Sequence, residues 1–90
     1  MILIPQEEKT FRKDRKRAGK RGKNMEKLKQ VVRLLASGNH LPTSYRDHAL
    51  SGNYKGFREC HIEPDWLLIY YQTPTYLILV RTGSHADLFM

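Results

Sequence analysis

Ninety residues with 40% hydrophobic and 10% aromatic side chains make one small folded domain, too short for a separate regulatory module and too apolar for a disordered chain. No run of about 18 apolar residues is present and the opening Met-Ile-Leu-Ile-Pro carries no basic leader, so neither a membrane span nor a secretory signal is expected, and the cytoplasm is the expected compartment. The net charge of +7 is unevenly spread, with 12 Lys/Arg against 4 Asp/Glu in residues 1–33 and 4 against 5 in residues 34–90, so the first third is a salt-sensitive surface for a polyanion.

In chain order, residues 1–4 read as a first strand ended by Pro5, because proline cannot continue a ladder. Residues 6–20 read as a helix with a thin apolar face of Phe11 and Ala18, broken by Gly19 and Gly22. Asn24 can cap a second helix whose Met25, Leu28, Val31, Val32 and Leu35 recur at helical spacing, with Gly38 ending it. The two helices form a hairpin with a basic outer surface, on which Lys13, Lys16, Lys20, Lys23 and Lys27 are candidate RNA contacts. Residues 39–56 lack periodicity and read as one long loop, of the kind that is usually functional in a compact domain. Three β-rich runs follow at 57–62, 66–71 and 76–81, joined by the turns at Glu63-Pro64-Asp65 and around Pro74. Ser84-His85-Ala86-Asp87 has the form of a capping box for one terminal helical turn. The expectation is a single α+β domain over residues 1–90, ordered β-α-α-β-β-β, with an antiparallel sheet against the helical hairpin.

His48, His61, Asp65 and His85 are the candidates for chemistry, with Arg81 as a cationic companion. His61 and Asp65 lie across a tight turn, Arg81 and His85 flank the end of the last strand, and the loop carrying His48 feeds the first strand of the meander. Imidazole changes charge near neutral pH, so two histidines can run a phosphodiester transfer without metal, one taking the 2′-hydroxyl proton and the other protonating the leaving 5′-oxygen. Arg81 would meet the charge on the phosphorane oxygens, and Asp65 could orient a histidine, raise its pKa or act as base itself. Phe89 or Trp66 could stack on a base, worth about 1 to 3 kcal/mol. A metal site is disfavoured: Pro64 prevents His61 and Asp65 from sharing a helical face, and Cys60 has no Cys partner. No cofactor is expected. His40 is set aside as a loop residue.

Asp47-His48-Ala49-Leu50-Ser51-Gly52, the run from Gly56 through Cys60-His61-Ile62-Glu63-Pro64-Asp65-Trp66 to Tyr70, and Arg81-Thr82-Gly83-Ser84-His85-Ala86-Asp87-Leu88-Phe89 together resemble the YafQ branch of the RelE/ParE toxin superfamily. The resemblance covers the second half of the chain; the first half matches only as a basic helix pair. It implies a type II toxin that enters the ribosomal A site, contacts 16S rRNA, cuts mRNA to leave a 2′,3′-cyclic phosphate, and is neutralised by an antitoxin. His48, His61, Asp65, Arg81, His85 and Phe89 fall on the functional positions of that family, with His85 as general acid and either His48 or Asp65 as base, His48 being preferred. The alternative on the same fold is a non-catalytic binder, either a ParE-like gyrase inhibitor or an RNA-binding module, which would have no need of three clustered histidines.

Overall fold

A computed structural model describes residues 2–89. The elements are β1 (Ile4–Glu7), α1 (Lys9–Lys20), α2 (Met25–Ala36), β2 (His48–Ala49), β3 (Arg58–Glu63), β4 (Trp66–Gln72), β5 (Tyr76–Gly83) and α3 (His85–Phe89), with short 3-10 turns at Thr43–Tyr45 and Gly52–Tyr54. One sheet holds the strands in the order β1-β5-β4-β3-β2. The expected α+β domain and β-α-α-β-β-β core are present, and β2 adds a two-residue strand inside the long loop.

The sheet is mixed rather than antiparallel, because β1 pairs with β5 in parallel. The first strand also starts later than the sequence suggests and contains Pro5 instead of ending at it. The amides of Ile4 and Glu8 donate to Thr75 and Leu79 at 2.9 Å each. The alternation of a strand therefore turns the nitrogen of Pro5 to the open edge, where a missing N–H removes no rung. The first helix accordingly begins at Lys9, after the strand has run its course, rather than at Gln6. The second begins as expected, with the Asn24 side chain accepting from the amide of Glu26.

β4 is central and its five residues Trp66 to Tyr70 are all buried. Trp66, Leu68 and Tyr70 face the helices, in a core with Phe11, Ala18, Leu28, Val31, Leu35, Cys60, Leu77 and Leu79. Leu67 and Ile69 face the other way, under Leu50, Tyr54, Phe57, Val80 and Leu88. This double burial explains the continuous apolar run, since neither face of the strand meets water. Trp66 is therefore closed off from any base-stacking role. Its indole N–H donates to the Thr82 hydroxyl at 3.0 Å, and that hydroxyl donates to the carbonyl of Leu67 at 2.7 Å. Burial also pushes the Cys60 thiol far above its ordinary pKa, so it is an inert core residue.

Replacing Thr82 by Val keeps the volume and leaves the buried indole N–H without an acceptor. The expected loss is about 1 to 3 kcal/mol of stability, read as a lower urea midpoint with unchanged slope.

Candidate active site

The site lies on the sheet face opposite the helices. Asp47 fixes the loop that carries His48: its carboxylate accepts from the Tyr70 hydroxyl at 2.7 Å and from Arg58 Nε at 3.2 Å. Just before it, Arg46 adopts a left-handed backbone conformation with φ of 51°, which turns its carbonyl to within 2.7 Å of His48 Nδ1. A carbonyl only accepts, so Nδ1 carries the proton and Nε2 is the basic nitrogen.

β2 then sets His48 opposite Glu59 of β3. Glu59 and His61, two apart on one strand, share a face. Glu59 is 5% exposed, and its Oε1 lies 3.5 Å from Nε2 of both His48 and His61. The His48 and His61 rings are 6.4 Å apart, and those of His61 and His85 are 5.7 Å apart. The three histidines thus form a row.

The far end of the row is held by Asp65. One of its oxygens accepts from the backbone amide of His85 at 2.9 Å and from His85 Nδ1 at 2.6 Å. These bonds, the backbone one foremost, hold the Asp65 carboxyl below its ordinary range, so it is an ionised acceptor. It must receive the Nδ1 proton, which leaves His85 Nε2 as the reacting nitrogen.

α3 is anchored independently. Ser84 and Asp87 exchange reciprocal capping bonds of 3.0 and 3.1 Å, as the Ser-x-x-Asp pattern predicts, and Arg21, which caps the end of α1, reaches Asp87 at 2.7 Å. Gly83 leaves the room this requires: a Cβ there would stand 2.9 Å from that of Asp87. Phe89, one turn after His85 on the same helical face, is 45% exposed and meets Tyr54 edge-on at 5.8 Å.

Arg81 takes its partner from α1. Its guanidinium pairs with Asp14 of α1, Nε at 2.6 Å and Nη2 at 3.2 Å. Asp14, with a weaker contribution from Tyr54, raises the Arg81 pKa above its ordinary value. Lys13, Lys16 and Lys20 are exposed, and their spacing puts them on one face of α1. Lys23 and Lys27 instead converge on Glu63 at 3.3 and 2.9 Å. Their bonds, that of Lys27 first, lower the Glu63 pKa. His40 is exposed in the loop, away from these contacts.

The structure brings together His48, His61, Asp65 and His85, which sequence reasoning groups, and adds Glu59 and Asp14, which it misses. Glu59 was detectable as the residue two before His61 on the same strand. Asp14 was detectable as the one acid in a basic helix, at helical spacing between Phe11 and Ala18. Among the described residues, no group of three or more His, Cys, Asp or Glu is arranged to hold a metal ion. No helix there is long and apolar enough to cross a membrane.

Residues 4–90 match the family model described as bacterial toxin of type II toxin-antitoxin system, YafQ. The chain belongs to the YafQ family. Over 80 residues it is 50% identical to the mRNA interferase toxin YafQ of Escherichia coli K12, covering 88% of this chain and 87% of that protein. The crystal structure of YafQ from E. coli BL21(DE3) superposes with a TM-score of 0.93 at 44% identity, over 98% of this chain and 99% of that one. The toxin in the E. coli DinJ-YafQ toxin-antitoxin complex gives a TM-score of 0.91 at 44% identity, over the whole of both chains.

Beside the candidate site of this YafQ-family chain, the Arg21 bond and the Ser84 amide depress the Asp87 carboxyl well below its ordinary pKa. A depressed carboxylate contributes stability that is complete above its unfolded pKa of about 3.9 and is lost as pH falls toward the folded value. The docking of α3 should therefore persist through the ordinary aspartate range and fail only at lower pH. The NMR shift of the Leu88 amide, which bonds to the Ser84 carbonyl, checks this against Asp87→Asn, in which the titration should vanish and α3 should be frayed at neutral pH.

Proposed function

We propose that this chain is an endoribonuclease toxin that cleaves mRNA in the ribosomal A site by metal-independent acid/base chemistry and is neutralised by a cognate antitoxin. The observation that carries the chemistry is the histidine row, in which His48 and His85 each have Nδ1 committed to a fixed acceptor. His48 Nε2 removes the proton from the ribose 2′-hydroxyl, and the 2′-oxygen attacks the adjacent phosphorus. The P–O5′ bond breaks, and His85 Nε2 gives its proton to the departing oxygen. The products are a 2′,3′-cyclic phosphate and a free 5′-hydroxyl. His61 stands between the two, so the scissile phosphate spans from His48 to His85 across it.

Asp65 orients the acid in this scheme rather than acting as base, since one of its oxygens accepts both the backbone amide and Nδ1 of His85. Glu59 favours imidazolium on the base after proton transfer, stabilising the intermediate by its charge. Arg81 supplies positive charge to the phosphorane, and Phe89 stacks on a flanking base. A cleft of about 500 Å³ beside His61, lined among others by Lys27, Tyr45 and Arg46, accommodates the neighbouring nucleotide. The exposed row of Lys13, Lys16 and Lys20 docks on 16S rRNA, with Lys23 and Lys27 contributing where Glu63 releases them. The antitoxin of this toxin covers basic surface and is therefore acidic where it binds.

His85→Ala should lower cleavage by at least about 10²-fold and shift stability by no more than about 0.5 kcal/mol, because the ring is exposed. Primer extension on mRNA with and without ribosomes, in a zinc-selective chelator, tests the whole scheme. Ribosome-dependent cuts that survive the chelator and disappear in the variant are expected. Absence of cleavage under every condition would point to a non-catalytic toxin. Glu59→Gln should slow the maximal rate while leaving ribosome binding by sedimentation unchanged.

A further inference from the structure

We infer that Asp14, on the basic helix α1, is a positioning residue for cleavage: it holds the Arg81 guanidinium in the orientation that meets the scissile phosphate. The inference rests on the role of Arg81 proposed above.

Asp14 is the one acid among the seven Lys and Arg of α1, and it is 5% exposed where its neighbours are mostly solvated. It accepts Arg81 Nε and Nη2 along one edge of the guanidinium, the Thr82 amide at 3.2 Å, and Arg17 Nη2 at 3.1 Å. Two features make this more than a surface ion pair. A side-by-side pair fixes the plane of the guanidinium as well as its place, and it occupies the Nε–Nη2 edge of the fork, so phosphate oxygens would be met from the Nη1 side, with Tyr54 as the other polar neighbour of the guanidinium. The second feature is location. β1 ends its pairing with β5 at Leu79, so the edge of β5 beyond that point would be unpaired. α1 covers it there, with Thr10 donating to the Val80 carbonyl at 2.9 Å and Asp14 accepting from Thr82. The same carboxylate therefore fixes the backbone of Thr82 and the side chain of Arg81. A buried ion pair is weak evidence for stability, since its desolvation offsets its attraction. Orientation of a charge for a preorganised site is what such a pair supplies well.

The test uses the full chain in single-turnover cleavage of mRNA on programmed ribosomes, comparing wild type, Asp14→Asn, Arg81→Ala and the double variant. Asp14→Asn should lower the maximal rate on the order of 10- to 100-fold and change the half-saturating toxin concentration little. In the Arg81→Ala background it should lower the rate no further, because its effect runs through that side chain. An unchanged maximal rate in Asp14→Asn would overturn the inference, as would a full additional loss in the double variant, which marks a general structural effect. An unaltered rate in Arg81→Ala alone would overturn the role of Arg81 and the inference with it, whereas a slow Arg81→Ala beside an unimpaired Asp14→Asn would overturn the inference only. Should Asp14→Asn not fold, the Nε–H resonance of Arg81 in the wild-type protein decides: slow solvent exchange is expected, and exchange as fast as that of the exposed Arg12 would refute the positioning.

Discussion

A strand buried on both faces needs a covering layer on each side, and a chain of 90 residues can build only one of those layers from helices. β4 imposes that constraint. The helical hairpin covers the side of Trp66, Leu68 and Tyr70, so the side of Leu67 and Ile69 is left to the loop after α2 and the short α3. Those two segments bring His48 and His85 to the sheet, where they meet Glu59 and His61 of β3, and set Phe89 against Tyr54. Covering the second face of the core and assembling the candidate site are one structural event.

The acids of the protein are few, and the structure spends nearly all of them on holding cations or imidazoles in place. Asp47 ties the loop to Tyr70 and Arg58, Glu59 sits between two histidines, and Asp65 fixes a third. Asp14 and Asp87 bind the C-terminal half of α1 to the end of β5 and to α3. The basic helix that faces solvent on one side is thereby locked to the strand and helix that border the candidate site on the other. The residues proposed for docking and those proposed for cleavage therefore share a rigid connection.

Much of this was legible because it rests on local rules. The period of α2, the Asn24 cap, the Ser84–Asp87 box and the β-rich runs depend on neighbours in sequence, and each appears where the pattern puts it. What escaped depends on partners far along the chain. Pro5 reads as a strand terminator unless its strand is known to lie at an edge with its nitrogen outward. The pairing of β1 with β5 links residues some 70 positions apart, and nothing in either segment reports it. The same holds for Asp14, which reads as one more charge on a solvated helix until Arg81 and Thr82 are brought to it. His48 lay in a stretch with no periodicity because the strand that holds it is only two residues long, and its register comes from Glu59 across the ladder.

The two borders of the sheet share a property that bears on how the molecule behaves among copies of itself. On one side, Ile4 is 52% exposed, an apolar side chain on a strand whose outer line of hydrogen-bond donors is interrupted by Pro5. On the other, β2 offers only His48 and Ala49. A strand from another molecule approaching either border finds too few consecutive rungs to zip onto, so open-ended sheet extension is suppressed although the core strands are rich in β-formers. Pro5 and the brevity of β2 are in this sense a built-in guard against aggregation.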